Sequence, residues 1–226
     1  RHVEVLGGSV ADGVRPTGLD MVEEFRARNA WVGPAIVSDS GMIPVRRSYD
    51  RLVAPGVALV GTAACQVMPA HASGVGLAFL AARMLSDAVT GADDPGDETT
   101  LWSYACRYQR TIGAVMAAYD VMRRLSLARP PSFQDDFIAA GLMTAEDAEA
   151  GLRLVLPPAN PIYLAAKVRA AIAHPALVAG VAPWAVRIAI ANALYRAYPS
   201  TPDPASLRRW SLLVAAAVGD EPDVTL

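Results

Sequence analysis

Two regions of different pattern predict an α/β fold that gives way to a mostly helical C-terminal region. Between Val57 and Leu85 the chain runs through a short apolar stretch, a small-residue turn, a proline-anchored loop and an apolar helix. Open parallel sheets use this order to bring a strand end to a ligand. From Glu98 onward, apolar and aromatic residues recur at helical spacing. An apolar fraction of 53% and a net charge of -2 in 226 residues fit a folded chain with a real core. Twenty basic residues are balanced by twenty-two acidic ones and form no long stripe, which argues against nucleic-acid binding. The two cysteines, Cys65 and Cys106, are too few for a disulfide framework, so a reducing cytoplasm is the expected compartment.

In chain order, residues 1–49 mix strand and helix patterns. His2–Leu6 reads as a strand, Gly18–Arg28 as an amphipathic helix with Leu19, Met21, Val22 and Phe25 inward, and Ala35–Val45 as a strand pair around a turn. Residues 50–91 hold the strand, loop and helix. Val57, Leu59 and Val60 predict a strand buried on both faces and ending at Gly61. Residues 92–226 are helical in pattern, opening with a long helix over Glu98–Ala128 that Pro130 and Pro131 end. Trp102, Tyr104, Tyr108, Met116 and Tyr119 recur on one face of it, a spacing that favours core packing over a lipid pocket. Thr144 with Asp147 predicts a helix to Leu156, and Asn160 with Pro161 starts another. Further helices are expected at Trp184–Ala197 and Ala205–Val218.

Tyr163–Tyr198 is rich in alanine and carries Lys167, Arg169, Arg187 and Arg196. Pro175, Pro183 and the arginines interrupt it, so it predicts no spanning helix. It fits peripheral membrane contact, with Trp184, Tyr195 and Tyr198 at the interface, or a packed helical subdomain with arginines reaching to water.

The central segment carries a family resemblance. VGTAACQVMPAHASGVG, Val60 to Gly76, resembles the G-D-A-A-C-x-V-N-P-x-H-G-G-G-I-G segment of geranylgeranyl reductase-type flavoproteins. Upstream, Ile43–Arg47 and Asp50–Gly56 are similar to the family's I-P-x-R-R and D-x-L-V-A-x-G stretches. The resemblance implies the C-terminal part of an FAD-binding Rossmann-like fold, with residues 1–49 ending a substrate-domain sheet and 50–91 contacting the flavin. It implies reduction of carbon–carbon double bonds in prenyl chains on lipid or quinone precursors. The implied FAD contacts are Gly61, Thr62, Ala63, Ala64 and Val67 beside the ribityl and pyrophosphate groups, and Pro69, Gly74 and Val75 along the pyrimidine edge. Thr62 stands where the family has aspartate, Met68 where it has asparagine, and Ala72 and Ser73 where it has glycines.

No G-x-G-x-x-G follows the HVEVLGG stretch, so the nucleotide half of an FAD site is expected from an upstream segment, in cis or as a partner chain. His71 is the candidate catalytic proton donor, since imidazole titrates near neutrality; contact with the flavin or a part in the loop's structure is its other reading. Cys65 reads as a buried filler rather than a redox thiol. Arg46 and Arg47 read as cofactor or headgroup contacts, or as exposed strand-end cations. Two further readings stand beside the reductase: a related monooxygenase or quinone-linked dehydrogenase, and a non-catalytic remnant of the flavin fold acting as a subunit or lipid-binding scaffold.

Overall fold

The computed structural model describes residues 2–158, 160–221 and 223. They form two compact units that divide between Met42 and Ile43.

The first unit contains one helix, α1 (Gly18–Arg28), at the predicted bounds. Thr17 caps it by accepting from the Asp20 amide while Asp20 reaches back to Thr17, a reciprocal pair that satisfies two end donors. Its apolar side is not inward as expected, because Leu19, Met21 and Phe25 are exposed. A unit of about 40 residues has too little chain to cover a helix face. His2–Leu6 and Ala35–Met42 are irregular rather than stranded, since a strand persists only where another pairs with it. Gly7 and Gly18 pack backbone to backbone, and a Cβ on either would lie 2.5 Å from the other's carbonyl oxygen.

The second unit is mostly helical. Its sheet, among the described residues, is one antiparallel hairpin, β1 (Val53–Ala54) with β2 (Val57–Ala58), pairing Val53 with Ala58. The run from Val57 is therefore not a doubly buried parallel strand, and Val57 is exposed. Pro55 and Gly56, the latter at φ +73°, turn the chain back after two residues, as a type II turn requires.

Helix α2 (Val75–Val89) follows and packs along α3 (Glu98–Tyr108). A single π turn, Gln109–Gly113, joins α3 to α4 (Ala114–Leu127), so the predicted long helix is present with one wide turn inside it. That turn sets Gly113 against Tyr195, where a Cβ would stand 3.1 Å from the ring and 2.5 Å from the Gln109 side-chain oxygen, Oε1. Pro131 ends the long helix as expected, but it also opens α5 (Pro131–Ala139), because proline suits a first helical position. The capping box at Thr144 and Asp147 starts α6 (Ala145–Leu152), and Asn160 caps α7 (Pro161–Ala173). Asp147 also accepts from Tyr163 and Lys167 of α7. Burial alone would raise its pKa, but the hydrogen bonds from Lys167, Tyr163 and Thr144 outweigh burial and lower it.

Helix α8 (Pro175–Arg196) is longer than predicted: it begins with Pro175 at its first turn and continues through Pro183. By length and composition it is the one helix among the described residues long and apolar enough to cross a membrane. Helix α9 (Pro204–Val218), capped by Asp203, closes the unit on α8. Tyr195 and Tyr198 do not sit at a surface. Both are buried, Tyr198 stacked on Trp102 at 5.4 Å and both edge-on to Trp210 at 5.0 and 4.8 Å. Their neighbours' polar ends are satisfied too, with Trp102 Nε1 donating to the Pro199 carbonyl and Trp210 Nε1 to that of Leu194.

Arg46 and Arg47 are neither strand-end nor exposed cations. Arg47 is wholly buried, pairs through Nη1 with the equally buried Asp50, and lies 3.3 Å from the Tyr195 hydroxyl. Its amide donates to Asp120 at 3.2 Å, and Asp50 also accepts from Ser211 of α9. Arg46 reaches Asp223 at 2.7 Å, and Arg124 joins Asp220 at 2.9 Å. Burial alone would lower the Arg47 pKa; Tyr195 and the carboxylates of Asp50 and Asp223 reverse that and keep it charged. Asp50→Asn would leave Arg47 buried beside a neutral partner, so we expect a loss of about 3–5 kcal/mol in urea unfolding. Glu149→Gln, at the exposed pair with Arg153, is expected to change stability by no more than about 0.5 kcal/mol.

Candidate flavin loop

The candidate site is built on the chain between β2 and α2. Val60 is extended, Gly61 turns at φ +67°, and Gly61–Ala64 form one tight helical turn closed by Cys65 at φ +53°. A Cβ on Gly61 would lie 3.3 Å from Ala78 Cβ of α2, so the turn seats directly on the helix it leads to. Gln66 locks it. Its side-chain oxygen accepts from the Gly61 amide at 2.6 Å, and its nitrogen donates to Tyr104 Oη at 2.8 Å. Tyr104 in turn donates to the Leu59 carbonyl at 2.8 Å. Burial raises the Tyr104 pKa to about 12 against the opposing Gln66 bond, so the phenol keeps its proton as a donor.

The second half of the loop folds on itself. Met68 N donates to the Ser73 carbonyl at 2.9 Å, and Ala72 N donates to the Met68 carbonyl at 2.8 Å. Met68 is fully buried in the main core, so it anchors the loop from inside. Ala72 adopts φ +58°, a left-handed conformation that costs a residue with a Cβ about 1–2 kcal/mol. Gly74 packs so closely that a Cβ would stand 3.2 Å from Val67 Cγ2. It precedes α2 without a side-chain cap, leaving first-turn amides of that helix available.

Of the predicted contact residues, Thr62, Ala63 and Val75 are exposed, Gly74 is half-buried, and Gly61, Ala64, Val67 and Pro69 are buried. Gly61 already uses its amide on Gln66 Oε1 and its carbonyl on the Gln66 amide, and the Ala64 carbonyl accepts from Tyr49, so Thr62, Ala63 and Val75 are the predicted contacts most open to a ligand. His71 is exposed, and its Nε2 lies 3.4 Å from the Gly151 carbonyl at the end of α6. Cys65 is buried, and burial raises its thiol pKa although a hydrogen bond with Tyr49 opposes this, in keeping with a filler rather than a reactive thiolate. Gln66 and Tyr104 lie outside the residues that the sequence pattern marks for the site. A glutamine amid small apolar residues was the available signal, because a buried amide demands partners. Among the described residues no group of three His, Cys, Asp or Glu side chains is gathered for a metal ion.

No model of a known protein family matches the chain, and no curated protein is significantly similar to it.

Replacing Ala72 by glycine removes the left-handed penalty, against a smaller entropic cost in the unfolded chain. We expect a gain of about 0.5–1 kcal/mol for Ala72→Gly, and a loss of about 1 kcal/mol or more for the β-branched Ala72→Val. Both are read by thermal unfolding.

Proposed function

We propose that the chain is the flavin-contacting part of an FAD-dependent oxidoreductase of the geranylgeranyl reductase type, acting on carbon–carbon double bonds of prenyl chains. The observation that carries the reading is the backbone at Ala72. The family pattern has glycine there, and the left-handed φ of +58° is the conformation in which a glycine would be selected. The cradle also suits a flavin on other grounds: the exposed positions of the first turn are small, Thr62 and Ala63, and the start of α2 has no side-chain cap.

In this reading Thr62 donates a neutral hydrogen bond to the ribityl chain, and the backbone of Gly61, Ala63, Ala64 and Val67 borders the ribityl and pyrophosphate groups. Pro69 fixes the loop, and the amides around Gly74 and Val75 stabilise negative charge at the pyrimidine edge. FAD, when bound and reduced by an electron donor, would supply the hydride from its N5 atom, and the protein would supply orientation and electrostatics. His71, exposed in the same loop, delivers the proton to the second carbon. The nucleotide half comes from a segment in cis or from a partner chain. It covers the outer side of α2, where Val75 and Phe79 are both more than 70% exposed. The setting is the cytoplasm, at the face of the membrane that holds the prenyl substrate.

Thr62 favours the second reading, a flavin-fold scaffold without chemistry, because its neutral bond replaces one to a carboxylate. A charged hydrogen bond contributes roughly 1.5–3 kcal/mol against about 1 for a neutral one. The test is the absorbance of the full-length protein purified without added cofactor. The reductase reading expects flavin bands at roughly 370 and 450 nm, and about tenfold tighter FAD retention in Thr62→Asp. A colourless, folded protein that takes up no added FAD, with or without Thr62→Asp, overturns it in favour of the scaffold.

A further inference from the structure

Helices α7 and α8 carry apolar residues around their whole circumference, interrupted by a few cations, rather than on one face. Yet much of their surface is open. Ile162 and Ile172 of α7 are 85% and 76% exposed, and Val168, Val186 and Ile190 are exposed with them. Charge on this stretch has one sign: from Leu156 to Pro202 there is no aspartate or glutamate, although the whole chain has twenty-two. Lys167 is neutralised by Asp147 of α6. Arg169, Arg187 and Arg196 remain, and among the described residues none of them pairs with a carboxylate. Arg187 lies over the ring of half-buried Trp184 at 5.3 Å, pairing an aromatic ring with a cation as membrane-interface residues do.

We propose that α7 and α8 dock on an anionic lipid surface, their exposed apolar side chains entering the boundary of the bilayer and the three arginines meeting headgroup phosphates. A second copy of this chain fits poorly, because a symmetric contact on this face would set arginine against arginine. Nor is α8 free to cross the bilayer as an independent rod. Ala191 and Tyr195 are buried in the core, and Asn192 Nδ2 donates to the Ala114 carbonyl of α4 at 3.0 Å. The helix is fastened along its C-terminal half, so it lies on the membrane. The docking does not depend on flavin chemistry and stands or falls apart from it.

The experiment is flotation of the full-length protein with vesicles of neutral phosphatidylcholine, and with vesicles in which about a third of the lipid is phosphatidylglycerol. Binding is expected to the anionic vesicles only, released by high salt. Arg169→Glu and Arg187→Glu should each weaken it about fivefold or more, and Ile172→Asp should abolish most of it. Leu6→Asp, at an exposed apolar site in the first unit, should leave it unchanged. All four positions are exposed, and an unaltered circular dichroism spectrum for each variant shows that binding rather than folding has changed. Equal binding to neutral vesicles, or none to either, overturns the proposal. So does retention through an alkaline carbonate wash, which would mark a spanning helix. A concentration-dependent dimer that Ile172→Asp dissolves would assign the face to a second copy instead.

Discussion

The buried pair of Arg47 and Asp50 holds together parts of the chain that are far apart in sequence. A guanidinium and a carboxylate, both fully out of water, depend on the charges and hydrogen bonds around them. Those come from Tyr195 of α8, from Ser211 of α9, and from Asp223, while Arg47 Nε, 3.7 Å from Asp220, and Nη2 make no hydrogen bond among the described residues. Asp120 of α4 holds the Arg47 amide. Four arginines, at 46, 47, 123 and 124, meet four aspartates, at 50, 120, 220 and 223, so the cluster balances its charge. Such a cluster need not add much net stability over an apolar core, but it tolerates few alternative packings. It fixes the strand-side chain against α4, α8 and α9, and the loop that follows inherits that position.

The loop depends on the same logic at smaller scale. Its first turn is held by one side chain, Gln66, whose two ends are both used, on Gly61 and on Tyr104. Its second turn is pinned by the burial of Met68. Within the loop, Met68 is a core anchor, Ala72 holds a glycine-like backbone at some cost, and Thr62 is exposed on the first turn.

Much of the helical half was legible from end signals. The capping box at Thr144 and Asp147, the Asn160–Pro161 start and the long aromatic stripe all rest on local chemistry that acts regardless of tertiary context. What failed depended on partners. The apolar alternation of His2–Leu6 and of the stretch after Ala35 is compatible with strands, but a strand needs a neighbour, and none of the described residues provides one. Pro183 interrupts the pattern and places a helix start at Trp184, yet α8 runs through it, because its packing on α4 and α9 outweighs one lost hydrogen bond. Arg47 reads from sequence as a cofactor or headgroup contact or as an exposed strand-end cation; only the fold brings Asp50, Asp223 and Tyr195 around it. Small residues and glycines in order mark a turn and loop before α2, while the lock of that loop, Gln66 with Tyr104, joins positions 38 residues apart and is out of reach of any local pattern.

Whether the loop cradles a flavin is tested most directly by backbone hydrogen exchange of the full-length protein with and without FAD. The amides of Gly61 to Val67 and of Ser73 to Leu77 are expected to slow on FAD addition, while those of α5 and α6 do not change. Saturable FAD binding that leaves both loop segments unchanged and protects another part of the chain would contradict it.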